Sequence, residues 1–128
     1  MARVKHIVVV DDDQEIREIV AFALRRQNLD VAIASNGQEL QQMLAAQLPD
    51  LIILDVMMPG EDGYRIFGSL RAESLTRHIP VIIMTAHAEE IYERISADLG
   101  AADHITKPFH PLELVALVQS LLHNKAQN

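Results

Sequence analysis

The sequence contains no cysteine, little positive charge and no apolar run long enough to cross a membrane. Without cysteine there can be no disulfide, no zinc–thiolate site and no thiol catalysis. The 11 Lys and Arg residues against 18 Asp and Glu give a formal net charge of −7. We therefore expect no direct binding to nucleic acid or to an anionic membrane. The N-terminus runs straight into a predicted strand with no signal peptide, so we expect a cytoplasmic protein.

The length and composition fit one folded domain. A chain of 128 residues that is 49% hydrophobic can bury a single core. We expect this domain to span residues 1–123. The polar segment 124–128 is expected to be a tail that frays.

Short apolar runs alternate with longer amphipathic segments five times along the chain. The predicted strands are Ile7–Val10, Val31–Ala34, Leu51–Leu54, Val81–Met84 and His104–Thr106. The predicted helices are Gln14–Arg26, Gly37–Ala46, Tyr64–Arg71, Ala88–Leu99 and Pro111–His123. This alternation predicts an α/β fold with a parallel sheet and helices on both faces. The first, third and fourth runs are almost wholly apolar, as strands covered on both faces should be.

Chemically active side chains stand at the ends of four predicted strands. They are Asp11 and Asp12 after the first, Asp55 after the third, Thr85 after the fourth and Lys107 after the fifth. Ligands of open parallel sheets bind beyond the carboxyl ends of the strands. If the first and third strands are neighbours, their carboxylates crowd together, and like charges that close need a cation or a proton. A divalent metal is the simplest solution, and metal-bound carboxylates suggest phosphate chemistry.

Each of these residues also has a simpler interpretation. Acids before a helix commonly cap it, and we assign Asp13 to that role or to solvent. Taken alone, Asp55 fits a strand-end turn, Thr85 fits the start of a helix and Lys107 fits a solvated charge. The combination of all of them at strand ends favours a functional site.

The sequence resembles the receiver domain of two-component response regulators. The resemblance lies in four stretches that occur in order, namely Val8–Asp12, Leu51–Gly60, Ile83–Ala86 and Gly100–Phe109. It covers nearly the whole chain. It implies a three-layer, flavodoxin-like (βα)5 fold whose five-stranded parallel sheet has the order 2-1-3-4-5.

The resemblance also implies a role for each site residue. Asp55 is expected to accept a phosphoryl group. Mg2+ is expected to bind to Asp12, Asp55 and the backbone carbonyl of Met57, with Asp11 acting through water. Lys107 is expected to pair with Asp55 and later with the phosphoryl group, which Thr85 would also hydrogen-bond. The Lys107–Pro108 peptide bond is expected to be cis.

Further positions are expected to transmit or tune the signal. Thr85 and His104 would form the switch, with histidine where the family usually has another aromatic ring. Met57 and His87 would set the lifetime of the phosphate. Leu117 occupies a place that is usually basic in one dimerising branch of the family, so we expect an apolar partner-binding face there.

The expected function is a phosphorylation-dependent signalling switch. The donor would be the phosphohistidine of a histidine kinase or phosphotransfer protein, and the face formed by helix 4, strand 5 and helix 5 would regulate a partner or output domain. Such a domain is no metabolic enzyme, because it catalyses only its own phosphorylation and dephosphorylation. Two alternatives remain. A phosphatase of the haloacid dehalogenase type could use Asp11–Asp13 as its nucleophile motif, although no acidic pair follows Lys107. A dormant module would keep the fold without the chemistry.

Overall fold

The computed structural model describes residues 3–86 and 100–127, with side chains as far as residue 123. The strands are β1 (His6–Val10), β2 (Asp30–Ala34), β3 (Leu51–Asp55), β4 (Val81–Thr85) and β5 (Asp103–Thr106). The helices are α1 (Gln14–Arg25), α2 (Gly37–Ala46), α3 (Gly63–Ala72) and a C-terminal helix (Pro111–Gln127). The helix predicted at Ala88–Leu99 and the tuning residue His87 lie outside the described residues.

The five predicted strands and the other four predicted helices are confirmed. Their bounds differ from the prediction by one residue at most, except at the C-terminal helix. That helix continues past His123 to Gln127. Lys, Ala and Gln in this stretch are good helix formers, and neither glycine nor proline interrupts it.

The sheet is parallel and has the strand order β2-β1-β3-β4-β5, as the resemblance implied. Val10 at the end of β1 pairs with Ala34 on one side and with Leu54 on the other. The next residues of β1 and β3 are therefore neighbours at the carboxyl edge. The strand order reverses beside β1, which places the ligand-binding crevice of such sheets at this edge.

Side chains of β1 alternate between two cores, one on each face of the sheet. Ile7 and Val9 pack with α1 and the C-terminal helix, whereas Val8 and Val10 pack with α2 and α3. Every residue of β1, β3 and β4 is buried. Burial on both faces explains why these strands are apolar without alternation. Among the described helices, none has the length and apolar character of a membrane span.

The C-terminal helix uses most of its broad apolar face for the core. Leu114 and Val118 are buried as expected, and Val115 and Leu122 are buried with them. Leu117 is half-buried and packs against the same core. Leu112, which is 67% exposed, is the large hydrophobic residue of this helix that lies most open to solvent among its described side chains.

Gly63 allows α3 to begin directly against the end of β3. A Cβ atom at Gly63 would lie 2.2 Å from the Cα atom of Val56 and 2.9 Å from the carbonyl oxygen of Asp55. Asp62 caps the helix by accepting hydrogen bonds from the backbone N–H groups of Tyr64 and Arg65. The close approach thus fixes where the chain leaves the strand that carries Asp55.

Two glycines of the same helix offer a matched test of this packing. We expect Gly63→Ala to lower the free energy of unfolding by about 1–3 kcal/mol, because the added methyl group meets backbone that cannot easily move. Gly68 is exposed, and a methyl group added there would meet no atom within 4 Å outside the helix's own backbone and its chain neighbours. Gly68→Ala should therefore raise the free energy of unfolding by about 0.5–1 kcal/mol. Urea denaturation measures both changes. Equal effects of the two substitutions would contradict the close approach.

Candidate functional site

Three carboxylates converge at the carboxyl edge of the sheet. Asp11 and Asp12 follow β1, and Asp55 ends β3. Each offers one carboxylate oxygen to a cluster in which all three oxygens lie within 4.8 Å of one another. Asp11 and Asp55 are buried, whereas Asp12 is exposed at the rim. The predicted convergence is thereby confirmed as geometry.

Lys107 supplies the positive charge that faces this cluster. Its Nζ atom lies 2.7 Å from Asp11 Oδ2 and 3.2 Å from Asp55 Oδ2. The backbone N–H of Lys107 donates to the carbonyl of Thr85 at 2.7 Å, which ties the end of β5 to the end of β4. The peptide bond to Pro108 is cis, as expected. Lys107 therefore contacts two carboxylates, and its shorter contact is with Asp11 rather than with Asp55.

The pKa values of Asp55 and Lys107 are both raised, but by different causes. Burial raises the pKa of Asp55 above its usual range, and the nearby charge of Asp11 raises it further, against the opposing effects of the Met57 N–H and Lys107. Burial alone would lower the pKa of Lys107, but its bond to Asp11 and the charges of Asp55 and Asp11 raise it. These shifts favour the charged form of Lys107 and disfavour the ionised form of Asp55.

Short backbone bonds orient the two buried carboxylates. Asp11 Oδ1 accepts from the N–H of Asp13 at 2.9 Å, and Asp55 Oδ1 accepts from the N–H of Met57 at 2.9 Å. Asp13 itself caps α1 by accepting from the N–H groups of Glu15 and Ile16. The capping role predicted for this run therefore belongs to Asp13, and Asp11 and Asp12 are left for the cluster.

The other predicted residues lie at the ends of β3 and β4 and in β5. Thr85 is buried at the end of β4 and pairs with Thr106 of β5. His104 is half-buried in β5, and its Nε2 atom has no hydrogen-bond partner among the residues that the structure describes. Met57, which follows β3, is 45% exposed.

Arg17 belongs to the site region and was missed by the sequence analysis. Its Nη1 atom donates to the backbone carbonyl of Asp11 at 2.8 Å. The sequence analysis selected residues at strand ends, whereas Arg17 lies on helix α1. Long helical side chains point toward the helix N-terminus, so an arginine in the first turns of α1 could have been expected to reach the β1–α1 loop.

The donor set fits a hard divalent cation. Three carboxylates against one ammonium leave two negative charges at the edge of the sheet. Carboxylate oxygens are the ligands that Mg2+ takes in proteins, and an exposed rim ligand leaves the ion a path of entry. Asp11, Asp12 and Asp55 could therefore hold Mg2+ without rearrangement of the strands.

Comparison with protein families and curated proteins gives a consistent result. The family model described as "Response regulator receiver domain" matches residues 7–119. The phosphate regulon transcriptional regulatory protein PhoB of Pseudomonas aeruginosa is 41% identical over 118 residues, which are 92% of this chain and 52% of that protein. The alkaline phosphatase synthesis transcriptional regulatory protein PhoP of Bacillus subtilis is 40% identical, with coverage of 92% and 48%. The chain thus spans about half the length of these curated relatives.

Solved structures resemble this chain over nearly their full lengths. A putative response regulator from Chloroflexus aurantiacus has a TM-score of 0.87 and 34% identity, covering 94% of this chain and 99% of its own. The chemotaxis protein CheY4 of Vibrio cholerae has a TM-score of 0.86 and 26% identity, covering 93% and 99%. Neither the phosphatase alternative nor the dormant module finds support among these matches.

The raised pKa of Asp55 predicts how the protein without Mg2+ responds to pH. Asp55 binds its proton more readily in the folded than in the unfolded chain. Its ionised form therefore destabilises the fold, and the stability that this group contributes is lost as pH rises through its folded pKa. We expect Asp55→Asn to raise the free energy of unfolding at pH 7, with a gain that shrinks below the usual carboxyl pKa.

Denaturant unfolding at several pH values, in the presence of a chelator, measures this gain. The control is Glu113→Gln, which removes one exposed acid from the C-terminal helix and should not reproduce the effect. Saturating Mg2+ should stabilise the wild type and thereby narrow the difference. If Asp55→Asn has a lower free energy of unfolding than the wild type at pH 7, crowding of the carboxylates does not destabilise the fold.

Proposed function

This chain belongs to the response regulator receiver domain family, and from that premise we propose that Asp55 is its phosphoryl acceptor. Receiver domains are phosphoacceptor signalling modules of two-component systems rather than classical enzymes. The observation that carries the proposal is the setting of Asp55. It is a buried carboxylate at a strand end, within 4.8 Å of two other carboxylates and 3.2 Å from a lysine ammonium.

Receiver domains generally bind Mg2+ in an acidic pocket, and the cluster in this chain supports the same assignment. We propose that Asp12, Asp55 and the backbone carbonyl of Met57 hold the ion, with Asp11 contributing through water. When bound, Mg2+ supplies positive charge that offsets both the carboxylates and the incoming phosphoryl oxygens. Asp12 suits this role because it is exposed at the rim.

Phosphoryl transfer then needs little beyond positioning. A carboxylate oxygen of Asp55 forms the new bond to phosphorus while the phosphorus–nitrogen bond to the donor histidine breaks. The N–H of Met57 and the ammonium of Lys107 hold the two oxygens of Asp55, which sets the direction of attack. Lys107 and the hydroxyl of Thr85 then bind phosphoryl oxygens. The donor in this proposal is a histidine kinase or a phosphotransfer protein.

The same step provides a signal. Movement of Thr85 toward the phosphoryl group leaves space that His104 can fill, which changes the face formed by β5, the C-terminal helix and the segment between β4 and β5. Leu117 lies on that helix and is half-buried there. The relatives are named transcriptional regulatory proteins. We propose that this acidic domain acts on a partner or output domain and does not itself contact nucleic acid.

Phosphorylation of the intact protein tests the central assignment. After mixing with acetyl phosphate and Mg2+, mass spectrometry should show a gain of one phosphoryl group, and Asp55→Asn should abolish it. Asp30→Asn is the matched control, because Asp30 starts β2 at the opposite edge of the sheet. A phosphorylated Asp55→Asn variant, or a wild type that accepts no phosphoryl group and binds no beryllofluoride, would refute the assignment. Many turnovers per molecule on a phosphate monoester, in place of acetyl phosphate, would favour a phosphatase instead.

The exposed thioether of Met57 predicts a long-lived phosphate. Met57 stands two residues after Asp55 and is 45% exposed, but its thioether sulfur is too weak an acceptor to orient an attacking water. We expect slow autodephosphorylation and a faster rate in Met57→Asn, measured by loss of the phosphorylated mass after donor removal. Met57→Leu keeps the apolar character and size and should leave the rate unchanged. A rate that is insensitive to substitutions at both Met57 and His87 would rule out this tuning.

A further inference from the structure

The loop that holds Asp11 and Asp12 leaves the sheet before it reaches the site. Val10 is the last residue of β1 that pairs with its neighbours, Ala34 and Leu54. The N–H of Asp11 still donates to the carbonyl of Ala34 at 3.1 Å, but its carbonyl has passed the end of the ladder. A buried carbonyl requires a partner. Arg17 provides it, at 2.8 Å.

The charge of Arg17 has an opposite charge near it on the neighbouring helix α2. It interacts electrostatically with Glu39 in the first turn of α2. Glu39 Oε1 accepts from both the backbone N–H and the hydroxyl of Ser35, each at 2.6 Å. Because Ser35 follows β2 directly, these bonds fix the carboxylate of Glu39 at the β2–α2 connection.

The β3–α3 loop is tied to the same connection. Glu61 Oε1 accepts from the N–H of Gly37 at 2.9 Å, at the first residue of α2. A hydrogen bond thus joins the β3–α3 loop, which carries Met57, to the first residue of α2. Glu39 of the same helix attracts Arg17 electrostatically from across the crevice.

The bond from Arg17 has a specific consequence for Asp12. The carbonyl of Asp11 and the nitrogen of Asp12 belong to one planar peptide unit. Fixing that carbonyl fixes the plane and hence the position of the Asp12 Cα atom. Asp12 is exposed, so packing does not restrain it. The Asp11 carboxylate restrains the backbone after Asp12 through the N–H of Asp13, and Arg17 restrains the peptide before it.

We propose that Arg17 is a positioning residue for the Mg2+ site, acting through the Asp11–Asp12 peptide. This inference rests on the proposed function, since it concerns the ion assigned to the same carboxylates. Positioning and simple charge make opposite predictions. A guanidinium near the site repels a cation, so its loss would tighten Mg2+ binding if charge alone mattered. Loss of a positioning bond weakens binding instead, as it does for groups that orient metal ligands.

The test is calorimetric titration of the full unphosphorylated chain with MgCl2. We expect Arg17→Gln to raise the dissociation constant about tenfold. Arg25→Gln is the matched control, because Arg25 lies on the same helix and its Nη2 atom donates to the carbonyl of Val31, also at 2.8 Å, away from the cluster. It should leave the constant within about twofold of wild type. Thermal unfolding of both variants confirms that they fold.

Two additional measurements separate positioning from general loosening. Arg17→Lys keeps the charge but loses the planar fork, and we expect it to recover part of the affinity. Phosphorylation of Arg17→Gln by acetyl phosphate should return to the wild-type rate at saturating Mg2+. Unchanged or tighter Mg2+ binding by Arg17→Gln, or an equal loss in Arg25→Gln, would overturn the inference. A wild type that binds no Mg2+ would instead overturn the proposed function on which the inference rests.

Discussion

Two buried carboxylates facing one ammonium group are the constraint on which the rest of this structure depends. Asp11 and Asp55 lie at the ends of adjacent strands, and Lys107 contacts both. The exposed Asp12 adds a third negative charge within 4.8 Å. The fold without a cation therefore retains uncompensated charge in a place where burial increases its cost. A cation and a phosphoryl group are ligands that this arrangement is suited to receive.

The strand order of the sheet is what brings these charges close together. With β1 between β2 and β3, the loops after β1 and β3 open onto the same crevice. Both cores press on these central strands, and every residue of β1 and β3 is buried. Rigid strands deliver the acids to fixed positions. Only the short segments beyond the strand ends need further restraint.

That restraint comes from a small set of contacts between loops. Gly63 brings α3 against the residue after Asp55, and the Met57 N–H orients the Asp55 carboxylate. Arg17 and the Asp13 N–H hold Asp11 by its carbonyl and its side chain. Such preorganisation lowers the cost of binding a metal ion and a phosphoryl group, because few groups must be ordered on binding. The phosphoacceptor chemistry proposed for the domain rests on these contacts.

The sequence by itself determined the elements, their class and the identity of the residues that meet. Apolar runs located the strands to within one residue, because burial on both faces leaves a local signal in the sequence. Helical periodicity located α1, α2 and α3 equally closely. The four motifs located Asp11, Asp12, Asp55, Thr85 and Lys107. Only the tertiary structure decided between the cap and solvent for Asp13, and only it showed that Lys107 lies closer to Asp11 than to Asp55. The two contacts of Lys107 differ by a few tenths of an ångström and join segments far apart in the chain, so no local pattern of residues encodes that difference. The bond from Arg17 to the Asp11 carbonyl is local, and the direction of helical side chains makes it possible, but only the fold shows that it forms.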